Sequence, residues 1–228
     1  MTQEQLNFFE KIKNIELQGE VYALLPFICT LNDEEMRIFT RFKAKQLLGL
    51  LKQLDGKITF AESCTGGQLA MIFTSLPGAS ECMEGSVVSY SAFTKQKLAG
   101  VRQKTIDEYD PVTMMVCREM ATGIKKKTDA LLSIATSGFA GPTGGTKERP
   151  VGTVYVTVQY KNQRNSMRLK IYEHLKEFDR QKVRNITAAF AFAYAIRCIF
   201  NHFPLPPREI SRKKLNEHNR WLKERGGI

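Results

Sequence analysis

The 228-residue sequence predicts an α/β layered domain with a helical N-terminal extension and a basic C-terminal tail. Three observations predict it. Strand-like and helix-like segments alternate from Lys57 onward. Ala130 to Thr136 is a near-continuous apolar run, as a central strand covered on both faces requires. Val154, Val156 and Val158 alternate with Thr153, Tyr155 and Thr157, and Met167, Leu169 and Ile171 repeat that period after a polar loop, Lys161 to Asn165, so the two segments predict a hairpin.

Taken in order, residues 1–54 read as a helical extension. A weak helix spans about Leu6 to Leu17, and Pro26 separates it from a stronger one. Asn32 is the expected N-cap of the stronger helix, with Glu35 in capping-box position, and Met36, Phe39, Phe42, Leu47, Leu50 and Leu54 recur at helical spacing after it. Asp55-Gly56 ends that helix. The main domain, 55–203, opens on a strand at Lys57 to Phe60, then a helix at Gln68 to Phe73 and a β-rich segment at Gly85 to Tyr90. A helix from Val112 to Lys126 follows, then the central strand, the hairpin and a long helix from the cap Asp179 to Phe200, apolar nearly all round. Pro204, Pro206 and Pro207 break the chain before the charged tail, 204–228.

Hydrophobic content of 43% and charged content of 25% are ordinary for a globular domain. The most apolar stretch, Ala188 to Phe200, is short for a membrane span and is broken by Arg197, so no membrane partner is expected. Five scattered cysteines, with no CxxC pair, point to a reducing cytoplasm rather than a disulfide framework or a zinc site. The net charge of +11 suits an acidic small molecule or nucleic acid. It is spread out, with Lys125-Lys126-Lys127 the longest run, which favours a solvated basic face over a nucleic-acid groove.

Four segments can carry chemistry, each near an element end. The first is Ala61-Glu62-Ser63-Cys64-Thr65-Gly66-Gly67, a hydroxyl- and glycine-rich turn between strand and helix. Helix N-terminal amides there favour an electron-rich group. Ser63 and Thr65 either cap the helix or present a nucleophile, and taken alone the turn favours capping. The second is Tyr90 to Lys95, in which a tyrosine and a lysine can reach one pocket. A lysine acting as base needs a lowered pKa; read structurally, it is a surface lysine. The third, Ser137 to Thr146, has glycines at 138, 141, 144 and 145, more than a plain connection needs. The fourth places Arg180 and Arg184 at i and i+4 on a helix N-terminus, where they either clamp an anion or lie on the surface. His174, His202 and His218 are isolated, so neither a metal constellation nor a Ser-His-Asp triad is indicated, and if Ser63 is a nucleophile its expected base is Lys95 rather than a histidine.

Together these segments resemble the CinA C-terminal domain family, the nicotinamide-mononucleotide deamidases. The matching motifs are AESCTGG at 61–67, LPGAS at 76–80, VVSYS at 87–91 with Lys95 following, LAGV at 98–101, SGFAGPTGGT at 137–146, RPVGTVYV at 149–156 and DRQKVR at 179–184, covering about residues 45 to 200. The resemblance implies a three-layer α/β/α sandwich around a mixed, largely parallel sheet, and an amidohydrolase that converts nicotinamide mononucleotide to nicotinic acid mononucleotide and ammonia, with no cofactor or metal and a tendency to form homo-oligomers. It implies Ser63, Lys95 and Tyr90 as catalytic residues, with Thr65 in reserve as the hydroxyl. Arg180 would hold the substrate phosphate with Arg184 beside it, and Thr65, Gly66, Gly67, Gly141, Gly144 and Gly145 would line the substrate. The sequence departs from the family at Ala92 and Phe93, where a polar pair is usual, and at Phe178, where glycine precedes Asp-Arg. A pyrophosphatase domain that precedes this one in longer members finds no match. The competing reading is a non-catalytic nucleotide-binding or interaction module of the same fold, with nucleic acid as its partner.

Overall fold

The computed structural model describes residues 21–175 and 179–202. The helix expected around Leu6 to Leu17, Phe178, the three late prolines and the charged tail lie outside them. Five strands, β1 (Ile58–Glu62), β2 (Met83–Val88), β3 (Leu132–Gly138), β4 (Thr153–Tyr160) and β5 (Gln163–Lys170), form a sheet in the order β2-β1-β3-β4-β5. β1 pairs in parallel with β2 and β3, while β3–β4 and β4–β5 are antiparallel, so β4 alone runs against the other four. The hairpin is tighter than the sequence suggests. Tyr160 pairs with Gln163, leaving a two-residue turn at Lys161-Asn162 in place of a five-residue loop.

Helices cover both faces. On one lie α1 (Val21–Thr30), α2 (Asp33–Gln53), α3 (Gln68–Thr74) and α7 (Arg180–His202); on the other lie α4 (Ala92–Lys97), α5 (Gln103–Tyr109) and α6 (Met114–Thr128). The strands alternate accordingly. Ile58, Phe60, Leu132, Ile134, Val154, Val156 and Val158 join the first layer's core, while Ala61, Ala135 and Tyr155 face the second.

Asn32 caps α2 as expected. Its side chain accepts from the Glu35 N–H at 2.9 Å, and the Glu35 carboxylate accepts from the Asn32 N–H at 2.9 Å. Pro26, however, lies inside α1 rather than at a boundary between helices. It removes one ladder bond, and burial of Leu24, Leu25, Phe27 and Ile28 in the core offsets that loss. α1 and α2 thus share one core with the sheet, Phe39, Leu47 and Leu51 of α2 being fully buried. Helix α7 is long and apolar enough to cross a membrane, but 72% of its apolar window is buried inside the domain. Phe192 packs edge-on to Phe60 and stacks on Phe73, which ties α7 to β1 and α3.

Helix α6 approaches the α4–α5 connection closely at Gly123. A Cβ there would lie 1.9 Å from the Ala99 carbonyl oxygen and 3.0 Å from the Gly100 Cα. Alanine is the better helix former by about 1 kcal/mol, whereas overpacking against backbone costs about 1–3 kcal/mol. Gly123→Ala is therefore expected to lower the urea midpoint despite its helix propensity, and a midpoint at or above wild type would show that the 99–100 backbone moves aside freely.

Candidate functional site

The three parallel strands end together, and the residues just past their ends make the site. β1 changes role within two positions. Glu62 points into the α3–α7 layer and Ser63 into the α6 layer. The Glu62 carboxylate, fully buried, accepts from the Leu69 and Ala70 N–H groups, each at 3.0 Å, and so closes the N-terminus of α3. Capping by Ser63 or Thr65, the reading their turn favours in isolation, does not occur. Gly67 stands at the N-cap position with φ 91° and no side-chain bond, and Glu62 supplies the cap from the strand. The sequence reading missed Glu62, because a strand-end carboxylate seven and eight residues from its partners has no capping-box signature.

Ser63 is thereby free for another partner. The Lys95 Nζ donates to Ser63 Oγ at 3.0 Å, to the Ser89 carbonyl at 3.0 Å and to the Tyr90 carbonyl at 3.2 Å. Lys95 is 1% exposed, not a surface lysine. Ser91 positions it by capping α4: its side chain accepts from the Thr94 N–H at 3.1 Å. Burial holds the Lys95 amine below its ordinary 10.5, opposed weakly by the Cys64 and Cys117 thiols, and no carboxylate bonds it among the described residues. Burial pushes the neighbouring Cys64 thiol up to about 12, so it stays protonated near neutrality, and Lys95 bonds Ser63 rather than this thiol.

Two arginines frame the turn. Arg180 donates to the Gly141 carbonyl at 2.6 Å and to the Tyr90 hydroxyl at 2.7 Å, linking the glycine loop to the tyrosine. Arg184 donates to the Thr65 carbonyl at 2.9 Å and to Gln181 Oε1 at 2.9 Å. Neither guanidinium meets a carboxylate in these bonds. Asp179 caps α7 as the sequence suggests, accepting from the Gln181 and Lys182 N–H groups.

Ser63, Tyr90, Phe139, Thr143 and Arg180 surround a cavity of about 170 Å³. The other candidates stand further back. Thr65 is fully buried and its hydroxyl lies 2.7 Å from that of Thr136, so it anchors the turn rather than facing the cavity. Gly66 and Gly67 give the turn its positive φ values of 62° and 91°. Gly144 and Gly145 lie in the outer, exposed part of the loop and do not line the cavity. Ala92 and Phe93 do not line it either. Ala92 packs on the α6 core, and Phe93 is 64% exposed. An ion pair unforeseen from the sequence holds the far wall: Arg149 bonds Asp110 at 2.7 Å and the Val112 carbonyl at 2.9 Å, beneath the Phe139 ring.

Comparison with known proteins agrees with this fold. The CinA C-terminal domain model matches residues 41–199. A CinA-like protein of Thermotoga neapolitana is 34% identical over 194 residues, which cover 76% of this chain and 44% of the relative. The chain thus spans less than half the length of that relative. Among solved structures, the competence/damage inducible protein CihA from Agrobacterium tumefaciens superposes with a TM-score of 0.66 at 26% identity, covering 70% of this chain and 94% of that one. A competence-damaged protein (CinA) superfamily protein from Escherichia coli gives 0.65 at 29% identity, covering 74% and 94%.

The buried lysine makes stability depend on pH with a definite sign. Its folded pKa lies below the unfolded value, so between the two the unfolded chain binds more protons and stability rises with pH. Below that window both states hold the proton and the desolvation cost is complete; above 10.5 neither does and the cost is gone. Lys95→Met is therefore expected to be more stable than wild type at neutral pH, by a margin that shrinks as the pH approaches 10.5. A margin constant with pH, measured by denaturation at several pH values, would contradict a depressed Lys95.

Proposed function

The chain belongs to the CinA C-terminal domain family, and from that premise we propose that it is a Ser-Lys amidohydrolase that deamidates nicotinamide mononucleotide. The observation that carries this reading is the 3.0 Å bond between Lys95 Nζ and Ser63 Oγ at the wall of the cavity. A neutral amine has two N–H groups and one lone pair. The Ser89 and Tyr90 carbonyls can only accept, so they take the two N–H groups and leave the lone pair facing Ser63. In that state Lys95 withdraws the serine proton as Ser63 Oγ attacks the carboxamide carbon. The protonated amine then returns the proton to the departing nitrogen, ammonia leaves, and water hydrolyses the acyl-serine by the same route.

The rest of the site suits a phosphorylated amide. The cavity is smaller than the roughly 300–1,000 Å³ that encloses a whole drug-sized ligand. It takes the amide and its ring, leaving the phosphate at the rim, where Arg180 bonds only neutral oxygens. Tyr90, held by Arg180, borders the ring. Of the turn amides, Gly66 already donates to the Ser63 carbonyl, whereas Thr65 and Gly67 bond no acceptor among the described residues and can donate to the oxyanion. The net charge of +11 draws an anionic substrate to the site.

Ammonia release from nicotinamide mononucleotide tests this directly. Ser63→Ala and Lys95→Ala are each expected to lower turnover by about 10³-fold or more. Arg180→Ala is expected to act mainly on KM. A folded wild-type protein that releases no ammonia would exclude this substrate, and full activity in Ser63→Ala would exclude the serine mechanism.

A further inference from the structure

We propose that Asn185 is a positioning residue of this site, a single acceptor that holds the turn carrying Ser63 through Gln68 on one side and Arg184 on the other. This rests on the amidohydrolase reading above, in which Ser63 attacks and the amides of its turn meet the developing charge.

The turn contains two pivots. Gly66 and Gly67 carry no side chain and lie at φ 62° and 91°, so their peptide planes are directed by whatever holds the residues on either side. Before them, the Thr65 hydroxyl is tied to that of Thr136 on β3 at 2.7 Å, which fixes the side chain and leaves the carbonyl to other partners. After them, Glu62 takes the Leu69 and Ala70 N–H groups, which fixes the body of α3 and leaves the side chain of its first residue, Gln68, to other partners. Both remaining restraints come from α7. Arg184 Nη2 donates to the Thr65 carbonyl at 2.9 Å, and a Cβ added at Gly66 would lie 3.4 Å from the same nitrogen. Asn185 Oδ1 accepts from Gln68 Nε2 at 2.6 Å. Gln68 Oε1 is shielded from solvent and has no partner among the described residues, so Asn185 alone orients that side chain.

The two restraints are one unit. Asn185 Oδ1 also accepts from Gln181 Nε2 at 2.8 Å, and Gln181 Oε1 accepts from Arg184 Nη1 at 2.9 Å. Gln181, Arg184 and Asn185 stand at i, i+3 and i+4, so their side chains meet on one face of α7. The bonds therefore run from the Thr65 carbonyl through Arg184, Gln181 and Asn185 to Gln68, whose own N–H returns to the Thr65 carbonyl at 3.3 Å. Gly66 and Gly67 lie within that ring, and the Gly66 N–H passes the restraint to the nucleophile by donating to the Ser63 carbonyl at 3.1 Å. Val183 and Ile186, fully buried beside Arg184 and Asn185, hold this part of α7 in the core. Because both arms end on one oxygen, removing it frees Gln68 and slackens Arg184 together. Ser63 and the turn amides are then no longer set against the same carbon, and a shift of about 1 Å suffices to cost about 10²-fold in rate.

Asn185→Leu, of similar size without the acceptor, and Asn185→Asp, which keeps it, test the role together. On nicotinamide mononucleotide the leucine variant is expected to lose about 10-fold in kcat with little change in KM, and the aspartate variant to recover most of the loss. The second measurement is labelling by a fluorophosphonate probe, in which Ser63 Oγ bonds phosphorus, fluoride leaves and the serine proton passes to Lys95. The same fall and recovery are expected there, with a urea midpoint in the leucine variant unchanged or raised, since leucine is the better helix former. The third is amide exchange at Gly66 and Gln68, expected to quicken in the leucine variant and slow again in the aspartate one. Labelling of Asn185→Leu within about two-fold of wild type would overturn the proposal. So would a loss that merely follows the folded fraction, an aspartate variant as slow as leucine, or unchanged exchange at both amides. Labelling and exchange need no natural substrate, so a wild type that is labelled but releases no ammonia would refute the deamidase reading and still leave the role of Asn185 decided. A wild type that resists labelling would overturn both.

Discussion

An amine buried with neutral oxygens alone is the constraint on which this site is built. Lys95 meets Ser63 Oγ and two main-chain carbonyls, and no carboxylate bonds it among the described residues. A carboxylate in that place would stabilise the ammonium and remove the base. The carbonyls are available because β2 is an edge strand. Its last rung is the Ser89 N–H donating to the Glu62 carbonyl at 2.8 Å, and beyond it the chain turns away with the carbonyls of Ser89 and Tyr90 still unused. The capped start of α4 then brings Lys95 back over them. Fold and reactivity meet in that short excursion.

The arginine pair on α7 shows how one helix serves both layers of organisation. From Val183 onward it is core, with Phe190 and Phe192 fully buried. Its first turn, by contrast, reaches over the sheet ends, Arg180 to the glycine loop and Tyr90, Arg184 to the carbonyl of Thr65. Two residues spaced for one face therefore hold two different loops, and the rigid core of the helix sets the distance between them.

Much of this was legible in the sequence, for reasons that can be named. The strand periods around Val154 and Met167, the Asn32–Glu35 box and the Asp179 cap depend on neighbours within a few residues, and the structure repeats them. The pairing of Ser63 with Lys95 was legible through the family motif, whereas burial of Lys95 is a property of the packed α6 layer and leaves no trace in local pattern. Glu62 was overlooked because its partners lie across a turn, and α5 because seven residues hold too few helical periods to register. Pro26 misled because proline counts as a helix boundary unless packing overrides it, as it does here. Ala92 and Phe93, conspicuous as departures from the motif, sit off the cavity wall, so a difference adjacent in sequence to the base is not one adjacent in space.

The alternation of Glu62 and Ser63 has a consequence for how such a domain can change over time. One side chain fastens the helix behind the sheet and the next carries the reactive oxygen in front of it. Because consecutive strand residues face opposite ways, losing or gaining a single residue within Ile58–Glu62 would exchange the two at a stroke, leaving the helix unfastened and the reactive oxygen turned into the core. This stretch of chain can therefore drift only by substitution. Length variation is confined to places such as the outer arc of the glycine loop, where the exposed backbone at Gly144 carries neither duty.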